Sequence, residues 1–413
     1  MTPKQAPRFF YGWIVVAITV PVLMVTAGIR SAPGAWLLPM QDDLGWSKAT
    51  LSFATALGLI IYGFSGPLSG RLMQSFGLRW VTAASLLFST LSMILSSLVQ
   101  STWQLNLFFG LFSGLATGLV ASVLGATVAN RWFIHHRGLV VGMMGAATSA
   151  GQLIFFPMLT AWAVNMGWRT AALILAGISA ALILPVIIFM RNSPNELGLE
   201  ALGQDINPNK ASLQADPQVM KRALVSPDFW LLAITFYICG ATSNGLIGQH
   251  FIPHAVDHGF SAIYASKALA LMGMFNFVGT IASGWLTDRF DPRKLLLIYY
   301  GFRGLSLLFL PLVHDSLGIV AFSVLFGLDY IATVPPTVAL AADRFGRANV
   351  GVVYGWIFAA HQVGAAVSAW LAGLARDNFG DYVAAFYVAG VMAVLGGVMA
   401  LIIRQQRQQK VIP

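Results

Sequence analysis

Long apolar stretches recur along the whole chain, and short polar connections separate them. A helix that crosses the hydrocarbon core of a bilayer needs about 20 mostly apolar residues. We predict twelve such spans, at residues 11–36, 49–70, 80–99, 104–130, 138–161, 170–190, 229–252, 265–286, 294–313, 318–341, 350–373 and 382–403. The pattern therefore predicts an all-α polytopic protein with twelve transmembrane helices, located in a cell membrane.

Composition agrees with a membrane location. Soluble domains carry roughly 25% charged residues, whereas this chain has 9%, with 57% hydrophobic residues and a mean hydropathy of +0.74. The net charge of +9 would suit nucleic acid, but the basic residues lie in the connections, so we expect no nucleic-acid partner. Cys239 is the only cysteine and lies in an apolar stretch. A disulfide framework is therefore excluded, and we expect no metal and no cofactor.

The basic residues also predict the orientation. Cytoplasmic connections carry an excess of lysine and arginine. If both termini are cytoplasmic, only four basic residues lie in connections on the outer side: Lys48, Arg169, Lys267 and Arg376. We therefore predict that both termini are cytoplasmic.

One long polar segment divides the chain. It runs from about Arg191 to Asp228 and carries four prolines and five acidic residues, a composition typical of a linker. We predict an N-terminal six-helix bundle at residues 1–190, a cytoplasmic linker at 191–228 and a C-terminal six-helix bundle at 229–413.

The two halves repeat each other at a fixed offset, as in many transporters. A shift of 213 residues superposes small residues of span 5 on span 11, and a shift of 214 superposes the connection after span 2 on the connection after span 8. The matched pairs include Gly142 with Gly355, Gly151 with Gly364, Arg131 with Arg344, Gly70 with Gly284 and Arg79 with Arg293. We interpret these matches as a duplication.

The connection between spans 8 and 9 carries a recognisable motif. It reads Gly284-Trp-Leu-Thr-Asp288-Arg289-Phe-Asp-Pro-Arg293-Lys294, which resembles the loop signature G-x-L-x-D-R-x-G-x-R-R/K of the major facilitator superfamily. Its partner between spans 2 and 3 is a degenerate copy in which Gln74 replaces the acid. The resemblance covers the whole chain. It implies two six-helix bundles around a cavity lined by spans 1, 4, 7 and 10, flanked by spans 2, 5, 8 and 11.

A narrower resemblance is to the monocarboxylate porter and oxalate/formate antiporter group. It rests on motifs before spans 1, 2 and 5 and after span 6: Tyr11-Gly12-Trp13, Leu44-Gly45-Trp46-Ser47, Arg131-Trp132-Phe133, and Ser193-Pro194-Asn-Glu196-Leu197-Gly198-Leu199. There is one departure. Monocarboxylate carriers of this group often have an acid and an arginine four residues later in span 8, where this chain has Asn276 and Thr280.

Ionisable residues inside spans are functional candidates, because a charge in hydrocarbon is costly. Asp329 and Arg303 both lie near the predicted midplane, so they either form a neutralising structural pair or serve transport separately. Arg30 lies on a helix that the resemblance places at the cavity, about 30 Å along its span and therefore towards the outer mouth. Its planar guanidinium suits a carboxylate. Further substrate-binding candidates are Asn244, His250, Asn276, Tyr330 and Gln362.

Proton coupling is assigned to Asp329 and His361. Burial favours a neutral carboxylic acid and an uncharged histidine, and the apolar neighbours of Asp329 favour it as the carrier. A nearby Arg303 would oppose this by stabilising the carboxylate. If Asp329 is locked to Arg303, His361 is the better proton site.

The sequence favours a gradient-driven transporter over an enzyme or an ATP-driven pump. No G-x-x-x-x-G-K-[ST] run exists, and one deep acid with scattered histidines does not form a hydrolytic site. We expect a monomeric, proton-linked transporter of a small monocarboxylate-like anion in a bacterial inner membrane. The alternative is proton-antiport efflux of a lipophilic drug, which favours an aromatic cavity with an acid and no fixed arginine.

The unequal loop motifs yield a prediction. In the superfamily, the loop acid holds the cytoplasmic gate by facing a helix N-terminus, where partial positive charge favours an anion. Asp288 offers this charge to span 5, whereas Gln74 offers none to span 11. Gln74→Asp should therefore stabilise the closed cytoplasmic side by up to about 1 kcal/mol and slow labelling of a cysteine introduced there. Uncharged Gln74→Asn is the matched control, and equal labelling in both variants would contradict the prediction.

Overall fold

The structure is a computed structural model that describes residues 10–120, 123–133, 136–203, 216, 218–346 and 349–404, excluding the side chains of 67, 137 and 138. Residues 204–215 and 217 of the predicted linker, and the basic residues Lys4, Arg8, Arg407 and Lys410, lie outside these ranges. Within them the chain forms helices and connecting turns, with one isolated β-bridge between Phe133 and Leu202.

Twelve helical spans are long and apolar enough to cross a membrane, which confirms the prediction. Spans 1 to 6 are Gly12–Leu44, Lys48–Ser75, Gly77–Ser97, Thr102–Trp132 apart from residues 121 and 122, Arg137–Met166 and Trp168–Phe189. Spans 7 to 12 are Pro227–Asp257, Ala262–Thr287, Pro292–Leu312, Ser316–Phe345, Val350–Phe379 and Val383–Ala400.

Span 1 is longer than the sequence pattern predicted. It passes through Pro33 and Pro39 and ends at Leu44. Prolines that would end a helix in water are tolerated in a membrane helix, because neighbouring helices satisfy the backbone groups that the prolines leave free. The motif after it explains the stop. Gly45 has φ 67° and its N–H bonds to the Gln41 carbonyl, and the Ser47 hydroxyl accepts from the Thr50 N–H at the start of span 2.

Three of the four helices that the superfamily resemblance places at the cavity are irregular. Span 4 contains a π-helical segment at Asn106–Phe112 and span 7 another at Ala241–Ile247. Span 10 breaks between Ser316–Asp329 and Val334–Phe345. Such irregularities in membrane helices are often found at functional sites.

The duplication is visible in the helix boundaries. Span 5, Arg137–Met166, and span 11, Val350–Phe379, begin and end at the same offset of 213 residues. Gly34 of span 1 and Gly248 of span 7, equivalent at an offset of 214, meet across the two halves, where a Cβ on Gly34 would lie 2.3 Å from the Gly248 carbonyl oxygen. Only glycine permits this close crossing.

The motif after span 6 has a structural role. The Glu196 carboxylate accepts from the Asn192 backbone N–H at 3.1 Å and from its side-chain amide at 2.6 Å. Asn192 Oδ1 in turn accepts from the Arg79 N–H at 3.1 Å, at the start of span 3. The segment therefore joins the ends of spans 3 and 6 within the N-terminal half.

The two ends of the bundle differ. We call the end with the connections after spans 2, 4, 6, 8 and 10 the basic end. There a Cβ on Gly142, Gly145, Gly351 or Gly355 would meet no heavy atom within 4 Å, and a central cavity opens between the halves. Spans 1 and 7 cross closely at the opposite end.

A polar cluster from both halves, the opposite-end clasp, completes this closure. Asp377 of span 11 accepts from the Lys48 and Ala49 backbone N–H groups of span 2, at 3.3 and 2.8 Å. Asp257 of span 7 pairs with Arg376 at 2.8 Å and lies 3.9 Å from Lys48 Nζ. The Asp377 carboxylate thus caps a helix N-terminus of the other half, where an anion is favoured.

The clasp predicts a conformational effect. Asp377→Ala should destabilise the closed opposite end by about 1 kcal/mol, the usual cost of losing such a cap. Labelling of Ser52→Cys, buried in this seam, should then accelerate in a Cys239→Ala background. Asp381→Ala is the control, because that carboxylate accepts from Val383 within its own half. Equal labelling rates in the two variants would show that Asp377 does not hold the seam.

Candidate functional site

A cavity of about 430 Å³ lies between the two halves near mid-depth, within the usual size of ligand pockets. Spans 1, 2, 5, 7, 8, 10 and 11 contribute to its wall. Its polar side chains are those of Arg30, Tyr62, Thr148, Ser149, Gln152, Ser243, Asn244, Asn276, Thr280, Tyr330, His361 and Gln362, with Cys239 beside them. None of the described lining residues is acidic.

Arg30 lies at the centre of this wall, which corrects its predicted place near the outer mouth. Because span 1 continues to Leu44, Arg30 is near the middle of a helix of 33 residues. Its Nη1 donates to the Tyr62 hydroxyl at 2.6 Å, and the guanidinium carbon lies 5.1 Å from the centroid of the same ring. Among the described residues, no carboxylate pairs with Arg30 within salt-bridge distance. The guanidinium is therefore oriented but not neutralised.

Asp329 and Arg303 form a buried pair, as one of the two sequence interpretations predicted. Arg303 Nε donates to Asp329 Oδ2 at 2.7 Å, with the two side chains 0% and 3% exposed. The other Arg303 donors reach the carbonyls of Asp329 and Tyr330, Cys239 Sγ and the Thr242 hydroxyl. Every guanidinium N–H therefore has an acceptor, and Asp329 stands behind the cavity wall.

His361 lies on the cavity wall between two aromatic rings. The Phe236 centroid is 4.7 Å from that of the imidazole, and Phe358 stacks at 5.7 Å with an interplanar angle of 7°. Its Nδ1 has no hydrogen-bond partner among the described residues. Among the described residues His361 has no ion-pair partner, whereas Asp329 is paired with Arg303.

The polar residues of spans 7, 8 and 10 contact one another. The Tyr330 hydroxyl donates to Asn244 Oδ1 at 3.2 Å. Asn276 Oδ1 accepts from the Thr280 hydroxyl and from the Ile331 N–H, both at 3.1 Å. Asn276 and Thr280 stand where related carriers have an acid and an arginine. They bond to each other, and Asn276 also accepts from a backbone N–H that the break in span 10 leaves free.

Gln362 and His250 have different environments. Gln362 lines the cavity, and its Cβ packs against Gly63 of span 2. His250 is fully buried outside the cavity, where its Nε2 lies 2.7 Å from the Ala369 carbonyl and its Nδ1 3.3 Å from the Tyr382 hydroxyl. The structure therefore brings together every predicted substrate-binding residue except His250.

Comparison with known proteins gives the family. The family model described as Major Facilitator Superfamily matches residues 19–337 and 254–412. The chain belongs to this superfamily. It is therefore a multi-pass membrane transporter and not an enzyme.

Relatives and solved structures agree with the superfamily assignment. The chain is 25% identical over 405 residues to the uncharacterized MFS-type transporter YcxA of Bacillus subtilis, covering 97% of this chain and 96% of that protein. It is 24% identical to monocarboxylate transporter 13 of Rattus norvegicus, covering 95% and 89%. A bacterial homologue of the human lysosomal transporter Spinster, solved inward-facing and unoccupied, shares the fold with TM-score 0.76 at 14% identity, covering 98% and 100%.

The superfamily loop motif lies at the open basic end. Gln74 and Asp288 are both exposed, and so is Arg289, whose guanidinium stacks on Trp285 at 4.0 Å. Arg293 holds Asp291 through charge-assisted bonds, the shortest 2.7 Å, and these bonds keep the pKa of Asp291 below its usual range. Gly284 leaves open space for a Cβ. The gate role of this loop remains a prediction for the opposite conformation.

Sequence reasoning missed Tyr62. A tyrosine near the end of an apolar stretch has no distinctive pattern of its own. The duplication held a usable signal, because the offset of 214 places Tyr62 on Asn276 and Arg30 on Asn244. Equivalent positions of the two halves face the same cavity, so the candidates in the C-terminal half point to Tyr62.

The Arg30 site yields a prediction. Lysine cannot reproduce the planar fork of donors, so Arg30→Lys should weaken binding of a small carboxylate such as benzoate by about tenfold to a hundredfold. The measurement is the benzoate Kd of purified protein, obtained from thermal stabilisation. Arg71→Lys, at an exposed position outside the cavity, is the control. Wild-type affinity in Arg30→Lys, with an unchanged unfolding temperature, would remove Arg30 from the binding site.

Proposed function

We propose that the chain is a secondary transporter of a small organic anion with one negative charge, resembling a monocarboxylate, and that protons accompany the anion. The observation that carries this proposal is the charge of the cavity: Arg30 lines it without a carboxylate partner, and no described lining residue is acidic.

An uncompensated guanidinium in a membrane cavity favours an anionic ligand. Removing a cation from water costs free energy unless an opposite charge or hydrogen bonds replace the lost hydration. Tyr62 supplies one acceptor to Arg30, which leaves donors free for a carboxylate. Since one fixed cation lines the cavity, a single negative charge neutralises it and a second would not be matched.

His361 is the better supported proton carrier. Asp329 is paired with Arg303 by direct contact. Under this condition the sequence favours the histidine as the proton site. Protonation of His361 beside Arg30 would place two positive charges on one cavity, and a bound anion offsets that repulsion. Proton and anion should therefore bind cooperatively and cross together without net charge.

Two further observations support this class of substrate. The superfamily relative monocarboxylate transporter 13 aligns with 95% of the chain. The alternative function, efflux of a lipophilic drug in exchange for protons, favours an aromatic cavity with an acid and no fixed arginine. The described lining includes the rings of Phe236, Phe277 and Phe358, but it has a fixed arginine and no acid.

Uptake into proteoliposomes tests both the substrate class and the proton site. With an imposed pH gradient, wild-type proteoliposomes should accumulate benzoate faster than protein-free liposomes, which neutral benzoic acid enters unaided. His361→Gln should lose this excess rate while still exchanging benzoate across the membrane. His258→Gln, a substitution outside the cavity near the opposite end, is the control. Succinate and tetraphenylphosphonium serve as the dianion and the lipophilic cation.

Each contrary outcome has a distinct meaning. Accumulation by His361→Gln, with loss in a folded Asp329→Asn variant, would transfer the proton role to Asp329. Accumulation by both variants would end the proton proposal. Transport of tetraphenylphosphonium without transport of benzoate would establish the efflux alternative.

A further inference from the structure

Tyr62 contacts both halves of the molecule at the cavity. It lies on span 2 and is 7% exposed. Its hydroxyl accepts from Arg30 of span 1 at 2.6 Å, and its ring lies 6.2 Å from the ring of Phe358 on span 11. The adjacent Gly63 lets span 11 approach closely, since a Cβ there would lie 2.6 Å from Gln362 Cβ. The Tyr62–Phe358 contact is therefore held by tight backbone packing.

Phe358 continues this series of contacts to the proposed proton site. It stacks on the His361 imidazole at 5.7 Å, with the rings 7° from parallel. An aromatic face attracts a cation placed over it, so the position of Phe358 affects the protonated imidazole. One unbroken set of contacts, Arg30 to Tyr62 to Phe358 to His361, thus joins the anion site of one half to the proton site of the other.

We propose that Tyr62 is a positioning residue that couples anion binding at Arg30 to proton binding at His361 through its contact with Phe358. This inference rests on the proposed function. A carboxylate on Arg30 competes with the Tyr62 hydroxyl for the guanidinium donors. The tyrosine ring then shifts against Phe358, and Phe358 shifts over the imidazole.

The other charged and titratable groups near His361 do not provide this link. They are Cys239 of span 7, Arg303 of span 9, Asp329 and Tyr330 of span 10 and Tyr354 of span 11. Arg303 and Asp329 neutralise each other. Arg30 is therefore the unpaired charge of the described cavity wall, and Tyr62 is its hydrogen-bonded neighbour on span 2.

The coupling is measurable as a ratio. Because linkage is reciprocal, a proton that tightens anion binding does so by the factor by which the anion tightens proton binding. The benzoate Kd is measured on full-length purified protein at pH about 5.5 and about 7.5, either side of the usual histidine pKa of about 6.5. Benzoate is ionised at both values. Wild-type protein should bind benzoate at least about fivefold more tightly at the lower pH.

Variants separate position from affinity. Phe358→Leu should keep the Kd at the higher pH while its pH ratio falls to about one. Tyr62→Leu breaks the contact from the other side and should lose the ratio as well, with weaker binding. Tyr62→Phe keeps the ring but leaves the carboxylate no hydroxyl to displace from Arg30, so it should lose the pH ratio without weaker benzoate binding at the higher pH.

Matched controls come from the same seam. Phe64 of span 2 contacts Trp356 of span 11 at 6.3 Å, outside the cavity wall. Phe64→Leu should therefore leave both the Kd and the pH ratio unchanged. Cys239→Ala should keep the pH ratio of the benzoate Kd, and this result would exclude the thiol as the titrating group.

The outcomes distinguish this inference from the proposed function. A wild-type pH ratio that persists in Phe358→Leu and Tyr62→Leu would overturn the role of Tyr62 and leave the anion and proton sites standing. Wild-type protein that does not bind benzoate, or binds it equally at both pH values, would overturn the proposed function and this inference with it. A ratio lost in Phe64→Leu as well would show a general effect of the seam and also refute a specific role for Tyr62.

Discussion

The neutralisation of Arg303 inside the membrane is the constraint on which the site depends. A guanidinium at this depth needs an acceptor for every donor, and the break in span 10 supplies them, because the carbonyls of Asp329 and Tyr330 both accept from Arg303. The break frees further backbone groups, and span 8 satisfies them: Asn276 accepts from the Ile331 N–H, and the Ser283 hydroxyl donates to the Ala332 carbonyl at 2.6 Å. Ion pair and helix break therefore stabilise each other.

This arrangement decides which charges reach the cavity. Because Asp329 is paired with Arg303, the described residues of the cavity wall include one fixed cation, Arg30, and no acid. The duplication makes the contrast explicit. Arg30 and Tyr62 of the N-terminal half correspond to Asn244 and Asn276 of the C-terminal half. The N-terminal half thus contributes a charge to the cavity wall, whereas the C-terminal half contributes amides.

The sequence predicted the fold well and the site in part, for physical reasons. Twelve spans follow from hydropathy alone. Equal depth and the cost of an isolated charge made an Arg303–Asp329 pair one of two interpretations, and the structure contains that pair. Arg30 was misplaced because the predicted span 1 ended near residue 36, whereas the helix continues to Leu44. His250 lies on the same helix as the cavity residue Asn244 but packs against Ala369 and Tyr382 outside the cavity. Rotation about a helix axis is set by tertiary packing, which residue spacing does not encode.

The seams between the halves show that the duplication has diverged at the gates. Asp377 closes the seam between spans 2 and 11 at the opposite end, whereas its equivalent at the offset of 213 is Val164. Val164 borders a cavity of about 780 Å³ that is lined by residues of spans 1, 5, 6 and 7 and by the start of span 8. At the basic end the asymmetry is reversed: the loop resemblance assigns Asp288 to the seam of spans 5 and 8, and the loop that serves spans 2 and 11 has Gln74. If Asp288 acts as the resemblance implies, the described part of the chain has a gate carboxylate for each seam, at opposite ends of the bundle. A carboxylate stabilises only the state in which it reaches a helix N-terminus, so we expect a different seam to close each end.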